Sequence, residues 1–189
     1  MMQPPVVLTG ERVRLRPWCS DDLPAFAALN ADPAVMEYFP AVLTAEQSDD
    51  FAQRIQAGFE KNGFGFWALE IPGVLPFAGF VGLSVPGHSG LPFMPTVEIG
   101  WRLCQQAWGS GYASEAARVV LAHAFTALQL PEVVAFTTLT NQRSQAVMQR
   151  IGMRYAEGED FMHPALPSDH PLRHHVLYRF AYEDWLKTQ

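Results

Sequence analysis

Cysteine is scarce in this chain: Cys19 and Cys104 are the two among 189 residues. They lie far apart and match no metal or redox spacing, so a reduced, cytoplasmic setting fits best. Long apolar runs are absent as well. None approaches the length of a membrane span, and the N-terminus lacks the basic, apolar and small-residue pattern of an export signal, so no membrane partner is expected. Basic residues form no stripe. Thirteen Lys and Arg stand against nineteen Asp and Glu, for a formal net charge of −6. That balance argues against nucleic acid and mildly favours cationic partners such as amines. With 49% hydrophobic and 17% charged residues the chain reads as globular. Repeats, low-complexity segments and an obvious domain boundary are missing, which points to one domain over residues 1–189 with a substantial core.

What is present is a regular alternation of elements. Val13 to Arg16 alternates apolar and basic residues like a strand. Ser20, Asp21 and Asp22 offer an N-cap and acidic first-turn residues for a helix through Leu29. Thr44 to Gln47 spells a capping box for a second helix, with Phe51, Ile55 and Phe59 at helical spacing and Asn62-Gly63 at its end. Phe64 to Ile71 and Phe77 to Val85 read as a hairpin around Pro72-Gly73. In the strand from Thr96 to Leu103, Val97, Ile99, Trp101 and Leu103 share one face, and Glu98, Gly100 and Arg102 the other. A helix from Ser114 to Leu128 presents Ala116, Ala117, Val120, Leu121, Ala124 and Phe125 on one side. Val133 to Leu139 reads as a buried strand reached by a parallel crossover. Asn141 to Ile151 is a short helix capped by Gly152, and Val176 to Phe180 a closing strand before a tail helix containing Trp185. The layout is mixed α/β with one βαβ unit at its heart.

The segment Gln106-Ala107-Trp108-Gly109-Ser110-Gly111-Tyr112-Ala113 joins a strand to an amphipathic helix. Two glycines one residue apart allow main-chain N–H groups close approach to a bulky anion, and the helix adds its unpaired first-turn donors and dipole. A nucleotide P-loop would need lysine and then Ser or Thr after the last glycine, and Tyr112-Ala113 stand there instead. A dinucleotide fingerprint belongs at an early strand with a third glycine, and neither condition is met. A plain glycine turn is the bland alternative.

Glu98-Ile99-Gly100-Trp101-Arg102-Leu103, followed by Trp108 to Ala116, closely resembles the GNAT superfamily of N-acetyltransferases, and within it the branch of the ribosomal-protein N-terminal acetyltransferases. Gln106, Gly109 and Gly111 match that superfamily's acetyl-CoA motif, and Asn141-x-x-Ser144 leading to Ile151-Gly152-Met153 matches the segment after it. The likeness covers most of Glu11 to Tyr155. It implies a central, mostly antiparallel sheet of six to seven strands with a splayed parallel pair and helices on both faces. The proline- and histidine-rich loop 157–175, before the closing strand and tail 176–189, departs from the shorter family pattern.

The same resemblance implies acetyl-CoA as co-substrate and an amine acceptor, either a peptide N-terminus or a small molecule. The amides from Gln106 through Trp108, Gly109, Ser110, Gly111, Tyr112 and Ala113 are expected to hold the diphosphate, with hydroxyls from Ser110 and Ser114. Glu115 would repel phosphate and is expected to turn to solvent. Glu98, among apolar strand residues, is the candidate general base, acting through water. The alternative is an ion pair with Arg14 or Arg16. Arg102 shares its face but stands roughly 13 Å along the strand. By resemblance, Leu103 or a neighbour supplies the backbone N–H for an oxyanion, Ser144 meets the leaving thiolate and Asn141 contacts the pantetheine arm. For Ser144, ordinary helix-start bonding is an equal alternative.

Tyr155 and Tyr178 are secondary proton donors whose main role is packing. Met36, Tyr38 and Phe39 are either acceptor-site walls or a core edge. His163, His170, His174 and His175 with Asp160 and Asp169 suggest a metal, but prolines interrupt them, Pro171 among them between His170 and His174, and no helical His-x-x-x-His spacing exists, so none is expected. Cys104 lacks an activating pattern and reads as a small buried thiol. Exposed aromatics allow a homodimer without fixing an interface. A non-catalytic acyl-CoA-binding scaffold is the alternative to an enzyme.

Overall fold

The computed structural model describes residues 6–88 and 90–189; the first five residues, on which the export-signal reading bears, lie outside it. The chain divides into two compact units, Met1–Ser84 with Gly100–Val120, and Val85–Ile99 with Leu121–Gln189.

In the first unit β1 (Leu8–Thr9) pairs antiparallel with β2 (Arg14–Arg16). Next comes α1 (Asp22–Ala31), which starts where Ser20, Asp21 and Asp22 predict, with Asp22 in its first turn. Asp21 occupies the N-cap without a side-chain cap bond. Asp22 is turned inward, accepting from Cys19 N at 2.9 Å and gripped by Arg16 through Nη1 at 2.8 Å and Nη2 at 2.7 Å. A buried guanidinium fork outcompetes solvent-facing capping for this carboxylate.

The capping box of α2 (Ala45–Asn62) forms as its sequence dictates: Gln47 N donates to Thr44 Oγ1 at 3.2 Å and Thr44 N to Gln47 Oε1 at 2.9 Å. Gly63 closes the helix at φ 76°, a left-handed conformation that glycine adopts without a Cβ penalty. β3 (Phe66–Ile71) and β4 (Leu75–Ser84) make the expected hairpin, β2 pairs with β3, and β4 borders β5 (Glu98–Leu103). Both early helices pack through Phe26, Leu29 and Ile55 onto Phe77 and Phe80, with Trp18 edge-on to Phe26 at 4.8 Å. Each such buried side chain contributes about 1.5–3 kcal/mol of apolar transfer. A 3₁₀ turn over Gln105–Ala107 leads to α3 (Tyr112–Thr126). That helix starts two residues before its expected place, and its six-residue apolar face is fully buried.

In the second unit β6 (Glu132–Thr138) runs parallel to the start of β5, with a single registered pair, Glu98 to Val134. α4 (Gln142–Arg150) follows, then β7 (Arg154–Tyr155), β8 (Phe161–Met162), β9 (His174–Ala181) and α5 (Tyr182–Leu186). β9 pairs antiparallel with β6 from Glu132–Ala181 to Thr138–His175, while β7 and β8 both attach to β9. The strands thus form one mixed sheet of nine among the described residues, not six to seven. The surplus comes from β1, β7 and β8, each two residues long and too short to show a period.

Candidate active site

The glycine loop of the first unit has the backbone its sequence calls for. Gly109 lies at φ 74° and Gly111 at φ 82°. A Cβ placed on Gly109 would meet nothing within 4 Å, and one on Gly111 would meet Arg12 Nη2 at 3.5 Å. Ala107 N and Trp108 N donate to Cys104 O and Gln105 O, and Glu115 N donates to Gly111 O. Among the described residues, the N–H groups of Gly109, Ser110, Gly111, Tyr112 and Ala113 have no acceptor within the chain. Five consecutive donors at a helix start, over a surface kept free of side chains by glycine, suit a diphosphate. The residues present therefore fit acetyl-CoA. Gln106 and Ser110 are exposed and Tyr112 and Ala113 half-buried, whereas Ser114 is buried, which leaves Ser110 as the accessible hydroxyl.

Two contacts brace the loop. Trp108 Nε1 donates to Leu103 O at 2.9 Å. Arg12 Nη1 donates to Ser110 O at 3.0 Å, while its Nε and main-chain N donate to Glu115. Glu115 thus corrects the expectation that it turns to solvent: its side chain is 17% exposed and its charge is taken up by Arg12. Cys104 is half-buried against the core, and its N–H donates to Ala78 O at 2.9 Å. Strand alternation then directs the Leu103 N–H to the opposite edge of β5.

The candidate acceptor-side residues of this unit separate. Met36 is 5% exposed and belongs to the core, Tyr38 is half-buried, and Phe39 is 38% exposed. The Phe39 ring lies over the Arg102 guanidinium, centroid to Cζ 4.1 Å. Arg102 itself is buried, with Nη1 donating to Asn30 Oδ1 at 2.5 Å and Nε lacking any acceptor. Asn30 in turn donates to Ser48 Oγ at 2.9 Å. Burial lowers the Arg102 pKa to about 10. A buried donor left unpaired costs about 1–3 kcal/mol, so this arginine is an expensive residue. Its sequence signal is a cation on a strand face shared with Glu98 and Gly100.

In the second unit Glu98 is half-buried at the start of β5. The arginines weighed as its partners are engaged elsewhere: Arg14 with Glu70 at 3.9 Å, Arg16 with Glu70 at 3.0 Å and with Asp22. Asn141 is the N-cap of α4, accepting from Ser144 N at 3.1 Å and donating to Thr137 Oγ1 at 3.0 Å. Tyr178 is buried, with its hydroxyl between Gln145 and Gln149 of α4. Tyr155 is exposed, and its hydrogen bond to Asp160 holds its pKa above the ordinary value. His163 is buried, edge-on to His88 at 4.8 Å and tilted against His175 at 4.9 Å, and its pKa is pushed to about 4 by burial and then by those two rings. Among the described residues no group of three or more His, Cys, Asp or Glu is arranged to hold a metal ion. No helix among them is long and apolar enough to cross a membrane.

The acetyltransferase (GNAT) domain model matches residues 12–154, spanning the brace, the loop and α4. The chain belongs to the GNAT acetyltransferase family. An uncharacterized Bacillus subtilis protein, YkkB, is 31% identical over 153 residues, covering 79% of this chain and 86% of its own. The FsC-acetyl coenzyme A-N(2)-transacetylase of Aspergillus fumigatus is 32% identical over 133 residues, 65% of this chain and 56% of that protein. Mycobacterium smegmatis RimJ, solved in complex with CoA-disulfide, superposes with a TM-score of 0.77 at 24% identity, covering 97% of this chain and 91% of that one. At that identity the likeness to the ribosomal-protein branch is one of fold. The GNAT match takes in Arg12, Glu98, the glycine loop, Asn141 and Ser144 in chain order.

Proposed function

We propose that the protein moves an acetyl group from acetyl-CoA to a primary amine by direct attack in a ternary complex. The observation that carries this reading is the run of five amides around Gly109 and Gly111 with no acceptor in the chain, among the described residues. The acetyl-coenzyme A named for the Aspergillus relative and the CoA-disulfide of the RimJ complex support the same donor.

When bound, acetyl-CoA supplies a thioester carbonyl and a thiolate leaving group. The chain supplies the rest. Glu98 takes the proton of the acceptor ammonium through a water, since only the neutral amine is nucleophilic. The Leu103 N–H, on the edge of β5 away from β4, is a fixed donor for oxyanion charge. The Ser144 hydroxyl gives a proton to the departing thiolate and takes in its place the remaining excess proton of the nitrogen that has attacked, and Asn141, fixed as a cap, offers its second amide hydrogen to the pantetheine arm. Tyr38 and Phe39 line the acceptor side.

Glu98→Gln tests the scheme. Acetyl-CoA affinity, read by calorimetry, is expected to hold, while kcat/KM falls about 10²-fold near neutral pH and less at alkaline pH. An unchanged rate with several amines removes Glu98 from the mechanism. Failure of the wild type to acetylate any member of a broad amine panel, with acetyl-CoA still bound, identifies a scaffold instead.

A further inference from the structure

Arg102 differs from the arginines that form ion pairs. Arg12, Arg14, Arg16, Arg154 and Arg179 all face carboxylates. Arg102 is more buried, at 8% exposed, yet among the described residues it meets no carboxylate. Its one hydrogen-bond acceptor is the neutral Asn30, whose own amide is committed to Ser48. Phe39, Phe51 and Phe80 enclose the guanidinium at 4.1, 5.5 and 5.4 Å.

The way the donors are divided is informative. Asn30 takes Nη1, on the side of the guanidinium near Cδ. The opposite edge presents Nε–H and one Nη2–H in parallel, the fork that receives a carboxylate bidentately. Nε is buried and unsatisfied on that edge. Arginine is seldom buried without an anion, and rings offset only part of its lost hydration. Of the three rings, Phe80 is buried and Phe39 is the exposed one, so Phe39 is the ring on the solvent side of the guanidinium. Phe39 lies in the segment between α1 and α2, outside any helix or strand, where a ring can swing without disturbing the hairpin.

We propose that Arg102 is the specificity anchor for acceptors that carry a carboxylate, which docks on its Nε/Nη2 edge when Phe39 swings aside. This deepens the acetyl-transfer reading and rests on it. The protein's net charge of −6 discourages anions at long range, so the selection acts at contact and not in the encounter. The shared chemistry is a carboxylate together with a primary amine, whether in a small amino acid derivative or in a peptide with an acidic side chain.

The test compares matched acceptors: a dipeptide against its C-terminal amide, and an amidated peptide with an acidic second residue against its glutamine counterpart. The expected wild-type preference for the carboxylate form is at least tenfold in kcat/KM, and the pair that shows it identifies the source. Arg102→Met should bring that ratio close to one, and Arg102→Lys should restore only part of it, because a point charge cannot supply the fork. Phe39→Ala, at an exposed position, should lower KM for the carboxylate form relative to its amide, and it keeps the test decisive if Arg102→Met does not fold. Calorimetric titration of the same dipeptide pair into the protein gives a readout independent of turnover. Equal rates and equal binding for both forms overturn the anchor while leaving acetyl transfer intact. Absence of acetylation with every amine defeats the transfer reading, and the binding ratio then decides on Arg102 alone.

Discussion

Arg12 holds Glu115 twice, donating from its main-chain N to Oε1 at 2.6 Å and from its Nε to Oε2 at 2.8 Å. Its remaining reach goes to Ser110 O, between the two loop glycines. One arginine near the start of the chain thereby fixes both the peptide that turns the loop and the first turn of the helix behind it. The arrangement presets the amides, so that less ordering is left to the moment of binding.

Arg12→Ala should therefore weaken acetyl-CoA binding more than it weakens folding. Because Arg12 is half exposed, the pair contributes no more than about 1 kcal/mol to stability, whereas loosening the loop should reduce affinity about tenfold. Thermal melts and calorimetry on the same preparation separate the two effects. An unaltered dissociation constant would mean that the loop keeps its shape without the brace.

Substitution of Gly109 addresses the loop directly. At φ 74° a side chain costs about 1–2 kcal/mol of backbone strain, yet a Cβ there meets nothing within 4 Å, so no clash inside the chain adds to it. Gly63, at φ 76° and equally open, is the matched control at the end of α2. Gly109→Val and Gly63→Val should both lower the melting temperature by several degrees, while only the first reduces acetyl-CoA affinity, by tenfold or more. Equal affinities in calorimetry would dismiss the loop as the diphosphate site.

The order of elements was legible because its signals are local. Thr44 and Gln47 announce α2, Gly63 ends it, and the apolar stripe from Ala116 to Phe125 marks α3. The misses share one physical cause, a partner that no local pattern names. Glu115 could not be oriented without Arg12, 103 residues away, and Asp22 could not be turned inward without Arg16, six residues earlier, folding back from β2. β7 and β8 exist because β9 offers them an edge, not because of any pattern of their own. In the candidate site, the glycine backbone followed from residue type. The isolation of Arg102 became visible only once Asn30, Ser48 and three phenylalanines had been brought around it.

Acid sensitivity follows from Asp22. Burial raises its pKa, but the Arg16 fork and the Cys19 N–H outweigh that, and the carboxyl lies below its ordinary value. A carboxyl depressed in the folded state stabilises fully above its unfolded pKa, about 3.9, and that stabilisation is lost as pH falls through the folded value. Urea melts of the wild type should thus show stability falling from just above pH 4 downward. Asp22→Asn should cost about 3 kcal/mol near neutrality, since it strands the Arg16 charge, 16% exposed on its side chain, with only Glu70 as a carboxylate partner among the described residues. The variant should also lose much of the slope below pH 4, because the group that releases protons on folding is gone. If the two stability curves run parallel across that range, the acid transition belongs to other carboxylates and the Arg16–Asp22 pair does not set it.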